Sequence, residues 1–437
     1  AFTSNRVAIE KGKAGIRYYL RDLFFKERDI VSNLNRLSNS AVKTNYKDEI
    51  AKDVEKKQGI VYSAKQKEAF NFLKSTGVKI LTGGPGTGKT TLVNGLILAY
   101  KAMYPSRKVV LCAPTGRAAQ RLSESTGRKA STLHRTLNVK PYDNFFTSKD
   151  KNNPLDGAVK NRAMLILCGD ADQLPSVGAG NILSDLISSE KFETVKLDVN
   201  HRQKDKSLII ENASRVKNGI ETLLTCPLFN IIEVENESLV NKKSLDLMDE
   251  HYKKDDAFNV QLLSSTKQHD AGIFVLNNAL QAKYNKTKNG VKAGGYTIKV
   301  NDKIMTTRNN YNIGYTNGDV GIVKKVTDSL ISLDINGVGI VDLPKEHFGD
   351  VSLAYAQTIH KSQGSEYETV IVALPAHPEI LLKRNLLYTA ITRAKSNVYI
   401  IAEKGAIKTA INNIDTQKRR TGLLDKLNGT HTITFLR

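Results

Sequence analysis

The sequence is poor in cysteine and has no long hydrophobic run. Its three cysteines, Cys112, Cys168 and Cys226, lie far apart, and the first two fall inside predicted core strands, so we expect buried thiols without disulfide or metal partners. Such cysteine usage indicates a reducing compartment. Because no apolar stretch approaches the length of a membrane span and no signal peptide opens the chain, we expect a cytoplasmic protein with no membrane contact.

Acidic residues are also in short supply. The 437 residues contain 65 Lys plus Arg but only 44 Asp plus Glu, which leaves a net charge of +21. A surplus of this size indicates a polyanionic partner, although a solvated basic surface has the same composition. The hydrophobic fraction of 40% is ordinary for a globular protein, and the length allows two or three domains.

A phosphate-binding loop is the clearest motif. Residues 83–90 read GGPGTGKT and fit G-x-x-x-x-G-K-[ST], between a short apolar strand at 78–81 and a helix at 91–100. The glycines let backbone N–H groups turn toward a phosphate, and the helix adds the positive end of its dipole. A glycine-rich turn with a surface lysine is the alternative, which the flanking strand and helix disfavour. The motif predicts a bound nucleoside triphosphate together with Mg²⁺.

The motif gives each residue of the loop a role. We expect Lys89 to reach the β- and γ-phosphates and the Thr90 hydroxyl to hold Mg²⁺. Gln66 lies just ahead of the first strand, where its amide can contact an adenine edge. The predicted nucleotide-binding residues of this region are Gln66, Gly84, Pro85, Gly86, Thr87, Gly88, Lys89, Thr90 and Thr91.

Polar segments follow the next predicted strands. The strand at 108–113 leads into PTGRAA (114–119), and STLHR (131–135) combines hydroxyl, imidazole and guanidinium groups that suit a phosphodiester backbone. The strand at 164–168 ends in GDADQLPSVG (169–178), whose carboxylates and amide can sense a γ-phosphate and its metal. NHRQ (200–203) follows a strand at 194–197. In doubly wound sheets, ligands bind at this carboxyl edge of the strands.

A second pattern, of β alternation, occupies residues 296–346. Strands are predicted at 303–308, 320–326, 330–335 and 338–343, and two Asn-Gly pairs, at 317–318 and 336–337, supply hairpin turns. Short strands at this spacing predict a small barrel.

In this order the motifs resemble the RecD-type branch of superfamily 1 helicases. The resembling segments are the phosphate loop, APTGRAA, STLHR, GDADQLPSVGAGNIL, NHRQ, residues 262–285, residues 301–323, YAQTIHKSQGSEY (355–367) and LYTAITRAK (387–395). The likeness covers most of the chain from about residue 60, and several motifs in order are more specific than any one of them. It implies an α/β fold of two RecA-like domains with parallel sheets, an inserted SH3-like barrel, and ATP in the cleft between the domains.

The resemblance also implies catalytic roles. Gln173 would touch the γ-phosphate, and Arg202 and Arg393 would reach it from the far side of the cleft as arginine fingers, which couples hydrolysis to domain closure. These three residues join Lys89 and Thr90 as the predicted catalytic set. Asp170 is a second candidate metal ligand beside Thr90.

The remaining implied sites concern the ribose and the nucleic acid. Gly364 and Glu366 would lie on the ribose side of the nucleotide. Single-stranded DNA would cross both domains, held mainly through its backbone. The predicted DNA-binding residues are Pro114, Thr115, Gly116, Thr132, His134, Arg135, Thr358, His360 and Ser362.

The sequence departs from the family pattern at one place. Between STLHR and the strand at 164–168, the resemblance implies another strand ending in Asp-Glu, which binds Mg²⁺ and polarises the attacking water. The Asp-Glu pairs at 48–49 and 249–250 lie elsewhere, and Asp156 in the polar loop at 140–160 has no strand before it. Either a segment that carries this strand is missing from this sequence, or the chain has lost these carboxylates and is a nucleotide-gated clamp. The mass of the intact chain distinguishes the two.

These observations predict five segments. They are a helical N-terminal segment (1–60), a first motor domain (61–205), a second motor domain in two parts (206–295 and 347–437) and the barrel inserted between those parts (296–346). The expected function is ATP-dependent unwinding of DNA in repair or recombination, with 5′ to 3′ translocation implied by the family alone. Expected partners are single-stranded DNA and its junctions with duplex, with single-strand-binding or recombination-complex proteins beside a monomeric motor. An RNA helicase of the same superfamily is the other alternative.

Overall fold

A computed structural model provides the fold. It describes residues 7–13, 15–137, 161–175, 180–199, 208–252, 256–414, 419, 421–430 and 432–434. None of the helices in these ranges combines the length and the apolar character of a bilayer span.

The N-terminal segment begins as a hairpin and not as a helix. Strands β1 (Val7–Gly12) and β2 (Gly15–Leu20) pair antiparallel, and helices α1 (Arg21–Asn39) and α2 (Glu49–Gln58) follow. The predicted helical segment is therefore wrong for its first part. Its apolar residues Ile16 and Leu20 are exposed while Tyr19 is buried, and this two-residue alternation is that of a strand.

The first α/β unit is built around the phosphate loop. Its elements are α3 (Ala64–Ala69), a 3₁₀ turn (Phe70–Lys74), β3 (Gly77–Gly83), α4 (Lys89–Met103), β4 (Leu111–Ala113), α5 (Gly116–Thr126), β5 (Ala130–Thr132), α6 (Leu133–Thr136), β6 (Met164–Gly169), α7 (Ile182–Ser188) and β7 (Glu193–Leu197). Strands β6, β3 and β7 form a parallel sheet in that order, and β4 pairs with β5 in a separate parallel pair. Since β3 is central and buried along its whole length, the loop that leaves it starts from a rigid strand.

Strand β6 is the outer strand of its sheet in the described chain. Its last residues include the exposed Cys168, and Cys112 on β4 is half-buried, so the prediction of two buried core thiols is wrong for Cys168. All three cysteines are free, as expected. The polar loop predicted at 140–160, with Asp156, lies wholly outside the described residues.

A second α/β unit follows, and a separate sheet is inserted within its sequence. The elements are α8 (Leu208–Lys217), β8 (Phe229–Val234), α9 (Glu237–His251), β9 (Val260–Ser264), α10 (Ile273–Tyr284), β10 (Gly290–Ala293), β11 (Tyr296–Lys299), β12 (Lys303–Thr306), β13 (Val320–Val326), β14 (Leu330–Ile335), β15 (Gly339–Pro344), a 3₁₀ turn (Lys345–Asp350) and β16 (Val351–Leu353). Strands β15, β14, β13, β12 and β16 form one antiparallel sheet in that order. Four of these strands overlap the predicted ones; an SH3-like barrel stays a prediction.

The second unit is completed after the insertion. Its remaining elements are β17 (Ala356–Thr358), a 3₁₀ turn (Ile359–Ser362), β18 (Tyr367–Leu374), a 3₁₀ turn (Glu379–Leu381), α11 (Arg384–Ile391), β19 (Ala394–Glu403), α12 (Ala406–Asn412), α13 (Leu423–Asn428) and β20 (Thr432–Thr434). Strands β17, β9, β18, β19 and β8 form a parallel sheet in that order. Strand β18 is apolar and buried from Thr369 onward, as a strand covered on both faces requires.

The inserted sheet shares a hydrophobic core with the second unit. Ile304 and Leu353 of the insertion lie in one buried cluster with Leu262 and Ile371 of the parallel sheet. Within this joint Lys303 is buried, and its Nζ donates to Ala257 O at 2.7 Å, Val260 O at 3.2 Å and Gln261 Oε1 at 3.1 Å. The insertion is thus fixed to the second unit.

The last segment of the chain returns to the N-terminal hairpin. Strand β20 pairs antiparallel with β1, and Leu423 and Leu427 of α13 pack in one cluster with Leu34 and Leu37 of α1. Lys426 forms a buried ion pair with Glu10 at 2.9 Å. Helix α13 and strand β20 therefore pack against the N-terminal segment, whereas the predicted boundaries assign this part of the chain to the second motor domain.

Candidate nucleotide and nucleic-acid site

The phosphate loop joins the end of β3 to the start of α4. Gly86 and Gly88 have φ angles of 73° and 76°, in the left-handed region that favours glycine. Thr87 Oγ1 donates to Gly84 O at 2.8 Å and closes the turn. The loop therefore takes the conformation its glycines allow, and the N-terminus of a 15-residue helix faces it.

Lys89 is the first residue of α4 and bends back over the loop. Its Nζ donates to Gly83 O at 2.7 Å and Gly84 O at 2.5 Å. Phosphate oxygens are stronger acceptors for an ammonium than neutral carbonyls, so a bound phosphate can replace these two partners. Thr90 and Thr91, which follow, are exposed.

Gln66 supports the loop from behind. It forms a capping box with Ser63 at the start of α3, where Ser63 N donates to Gln66 Oε1 at 2.9 Å and Gln66 N donates to Ser63 Oγ at 3.3 Å. Its Nε2 donates to Thr87 O at 3.2 Å, and the side chain is buried. Both ends of the predicted adenine-reading amide are thus bonded within the protein.

A half-buried carboxylate lies beside the loop at the end of β6. Asp170 Oδ2 accepts hydrogen bonds from Gln173 Nε2 at 2.9 Å and from the Tyr388 hydroxyl at 3.2 Å. Burial raises the pKa of Asp170, and the charge of nearby Lys89 opposes this rise. The structure thus groups Asp170, Gln173 and Lys89, three of the predicted site residues, and adds Tyr388 from the second unit.

Helix α11 of the second unit forms the facing wall of this cleft. The Tyr388 hydroxyl lies 3.5 Å from the position that a Cβ on Gly84 would occupy. Oγ1 of the next residue, Thr389, accepts a hydrogen bond from Leu174 N at 3.0 Å, and Gln363 Nε2 donates to Leu174 O at 2.9 Å. The two units therefore meet directly at the phosphate loop.

Arg393, the predicted arginine finger of the second unit, is buried just behind this wall. Its guanidinium donates to Thr389 O at 3.2 Å, Ser365 O at 3.0 Å and Thr392 Oγ1 at 3.3 Å. Burial lowers its pKa, and Glu366 opposes this effect. In this conformation these three hydrogen-bond acceptors all belong to its own unit. The other predicted finger, Arg202, lies outside the described residues.

The two predicted ribose residues contact helix α5 of the first unit. Glu366 forms an ion pair with Arg121 at 3.3 Å. A Cβ placed on Gly364 would lie 3.7 Å from Thr115 Oγ1. Both residues are therefore close to PTGRAA, the segment that the resemblance assigns to DNA.

Most of the predicted DNA-binding residues begin short helices. Thr115, Thr132 and Thr358 are N-caps whose hydroxyls accept backbone hydrogen bonds at 3.2 to 3.4 Å. Ser362 is fully buried and donates to Ile359 O, so its hydroxyl faces the protein. The exposed members of the set are Pro114, Thr115, His134, Arg135 and His360, whereas Gly116 is half-buried and Thr132 and Thr358 are buried.

A basic group that the sequence analysis did not select surrounds His360. Desolvation and then the positive charges of Lys383 and Lys267 lower its pKa, so the imidazole is neutral at pH 7. Desolvation and then the charge of Lys267 also lower the pKa of Lys361, whose Nζ donates to Asn317 Oδ1 at 2.6 Å. Lys361 lies inside HKSQG, so its motif is the signal that could have identified it.

The donor set allows a magnesium ion only with help from the nucleotide. The described residues contain no cluster of three His, Cys, Asp or Glu side chains that could hold a metal. Mg²⁺ in nucleotide sites commonly takes one or two protein oxygens together with phosphates and water. The exposed Thr90 hydroxyl beside the loop fits that pattern, whereas Asp170 is already bonded to Gln173 and Tyr388.

Relatives of known name match most of the chain. It is 31% identical to the RecBCD enzyme subunit RecD of Mycobacterium tuberculosis over 415 residues, which covers 79% of this chain and 70% of that protein. The chain belongs to the RecD family. This RecD-family chain is also 32% identical over 384 residues to the ATP-dependent RecD2 DNA helicase of Deinococcus radiodurans, covering 84% of the chain but about half, 52%, of that relative's length.

Family and structure comparisons agree with this assignment. Residues 61–226 of the RecD-family chain match the family described as AAA domain, and residues 353–401 match the UvrD-like helicase C-terminal domain. Two solved structures share the fold at 18% identity, each covering 86% of this chain and 100% of the other. They are a Pif1 helicase from a study of unwinding at forked duplex DNA, with a TM-score of 0.52, and the Bacteroides Pif1 helicase with ADP-AlF3 and single-stranded DNA, with a TM-score of 0.51. The predicted α/β fold with RecA-like parallel sheets is confirmed.

Proposed function

We propose that this chain is the motor of an ATP-dependent DNA helicase that moves along single-stranded DNA and opens duplex DNA. The observation that carries the proposal is the cleft: the phosphate loop of the first unit faces α11 of the second, with Tyr388 bonded to Asp170 beside Lys89. A nucleotide bound between two units can change their relative orientation, and a translocating motor depends on such a change.

The residues of the cleft have separable tasks in this proposal. Lys89 exchanges its loop carbonyls for β- and γ-phosphate oxygens, and Gln173 turns to the γ-phosphate. Arg393 leaves the carbonyls of its own unit when the cleft shuts and stabilises the charge that develops on the γ-oxygens. Thr90 would hold Mg²⁺, which when bound neutralises charge on the phosphates.

The nucleic-acid track runs past the N-terminal ends of three short helices. Pro114, Thr115, His134, Arg135 and His360 supply groups for the sugar-phosphate backbone, and the basic side chains around His360 supply charge. We propose movement from 5′ to 3′, from the family resemblance alone, and a role in repair or recombination beside single-strand-binding or recombination-complex proteins. A duplex with a 3′ tail that opens while one with a 5′ tail stays annealed would overturn the polarity.

The first test is ATP hydrolysis with and without single-stranded DNA, with Lys89→Ala as the matched control. We expect hydrolysis that rises strongly with DNA and is lost in the variant, because the ammonium is the only loop side chain that neutralises the phosphates directly. An equal series with RNA separates a DNA motor from an RNA motor. Stimulation by RNA alone would contradict the DNA assignment.

A second candidate is a nucleotide-gated clamp that binds DNA without turning ATP over. It is favoured by the donor set: the described residues hold no group of three His, Cys, Asp or Glu side chains that could bind a metal, and Asp170 is bonded to Gln173 and Tyr388. Under this alternative ATP binds with Lys89 intact, DNA affinity depends on the nucleotide, and no phosphate is released. Measured phosphate release in the wild type rules it out.

A further inference from the structure

The loop between β12 and β13 of the inserted sheet reaches the predicted DNA track at three points. The Tyr311 hydroxyl is 3.0 Å from Thr132 Oγ1, and the Arg135 guanidinium lies over the Tyr311 ring, 5.5 Å from its centre. At the end of the loop Asn317 Oδ1 accepts from Lys361 Nζ at 2.6 Å. One loop of the insertion therefore touches STLHR in the first unit and HKSQG in the second.

The loop is held in one conformation by its own hydrogen bonds. Tyr315 is fully buried, and its hydroxyl donates to Asp350 Oδ2 at 2.8 Å. Asn310 Oδ1 accepts from the backbone N–H groups of Asn312 and Ile313, each at 3.2 Å. Tyr311 is half-buried within this frame, so its ring is presented at a fixed place and not on a flexible tip.

A fixed aromatic ring with cations around it is the arrangement that binds single strands without reading sequence. Bases stack on aromatic side chains while arginine and lysine attract the backbone. Here the ring carries Arg135 on one side, and Lys361, which lies near Lys267, binds Asn317 of the same loop. The hydrogen bond between the Tyr311 and Thr132 hydroxyls restrains the ring, so stacking a base on it costs little side-chain entropy.

We propose that Tyr311 is a base-stacking residue for single-stranded DNA, contributed by the inserted sheet. The inference rests on the proposed function, since it needs single-stranded DNA on the track. Tyr311 lies within residues 301–323, one of the resembling segments, but no motif spacing gives it a role, because it lies in a polar loop between two strands. The ring, and not the hydroxyl, is the part of the side chain that acts on DNA.

Affinity for oligo-dT, followed by fluorescence anisotropy, tests the ring directly. We expect Tyr311→Ala to weaken binding by about 5- to 150-fold, the range measured for loss of one stacked base, and Tyr311→Phe to stay within about threefold of the wild type. Tyr18→Ala is the matched control, because Tyr18 is 63% exposed on β2 and should not change affinity. Equal losses in Tyr311→Phe and Tyr311→Ala would assign the effect to the Thr132 hydrogen bond and overturn the proposal, as would unchanged binding in Tyr311→Ala.

A spectroscopic test does not depend on a loss of affinity. The sequence has no tryptophan, so Tyr311→Trp carries a single indole whose emission reports its own surroundings. Base stacking should quench that emission when oligo-dT binds, while Tyr18→Trp should show no quenching. Absence of quenching in a Tyr311→Trp protein that binds oligo-dT overturns the proposal. A wild type that does not bind oligo-dT at all overturns the proposed function together with it.

Discussion

The buried lysine at the joint between the inserted sheet and the second unit should make stability depend on pH. Lys303 is 1% exposed, and burial, followed by repulsion from Arg117, lowers its pKa to about 7 from an ordinary value of 10.5. Between these values the unfolded chain binds a proton that the folded chain gives up. The free energy of unfolding therefore rises with pH through this window, since stability rises wherever the unfolded state binds more protons.

The size of the effect follows from the slope of 1.36 kcal/mol per pH unit for one proton. From pH 7 to 9 the folded lysine loses most of its proton while the unfolded lysine keeps it, which gives about 2 kcal/mol in favour of the higher pH. This figure is an upper bound. The three acceptors around Nζ, from Ala257, Val260 and Gln261, match the three donors of an ammonium and therefore oppose the loss of the proton.

Lys303→Met isolates this contribution because methionine fills similar space without a titrating group. We would measure urea unfolding by circular dichroism at pH 7, 8 and 9 for the wild type and the variant, and compare the free energies of unfolding. All other titrating groups are common to both proteins and cancel in the comparison. We expect the wild type to gain stability relative to the variant as pH rises, by up to about 2 kcal/mol. Parallel curves for the two proteins would refute the reasoning.

Two further predictions concern other buried charges. Arg393→Lys should reduce DNA-stimulated ATP hydrolysis by about 10³-fold or more, because lysine cannot reproduce the planar, two-pronged hydrogen bonding of the guanidinium. Affinity for oligo-dT without nucleotide should stay at the wild-type value. Unchanged hydrolysis would remove Arg393 from the catalytic set. Lys426→Met should lower the free energy of unfolding by up to about 3–5 kcal/mol, because it removes the nearer cation of the buried Glu10 and leaves only Arg17, at 3.8 Å. Restoration of most of that loss in Lys426→Met with Glu10→Gln is the check. A double variant as unstable as the single one would contradict that assignment.

Local sequence determined most of what was predicted correctly. The phosphate loop follows from glycines at positions where the backbone has positive φ, and the second parallel sheet follows from apolar runs such as 369–374. The hairpin at 336–337 follows from Asn-Gly, with Gly337 at a φ of 75°. In each case a few residues adjacent in the sequence determine the local conformation.

The predictions were wrong, or missed a residue, where a residue's environment is set by segments distant in the sequence. Tyr19 and Leu20 fit a helix by spacing, but pairing with β1 makes their segment a strand. Cys168 has the apolar neighbours of a core residue, yet β6 is the outer strand of its sheet among the described residues. Tyr388 and Tyr311 gain their positions only when a second unit or an insertion packs beside the first, and no local pattern contains that information.

The pairing of β1 with β20 has a consequence for how the chain folds during synthesis. Residues 9–11 pair with residues 432–434, so the N-terminal hairpin gains its third strand only after more than four hundred further residues have been made. Contacts this distant in sequence are slow to form, because a long loop must close first. Until then Glu10 lacks its ion pair with Lys426. The partly synthesised chain also exposes the unpaired edge of β1 to other nascent chains.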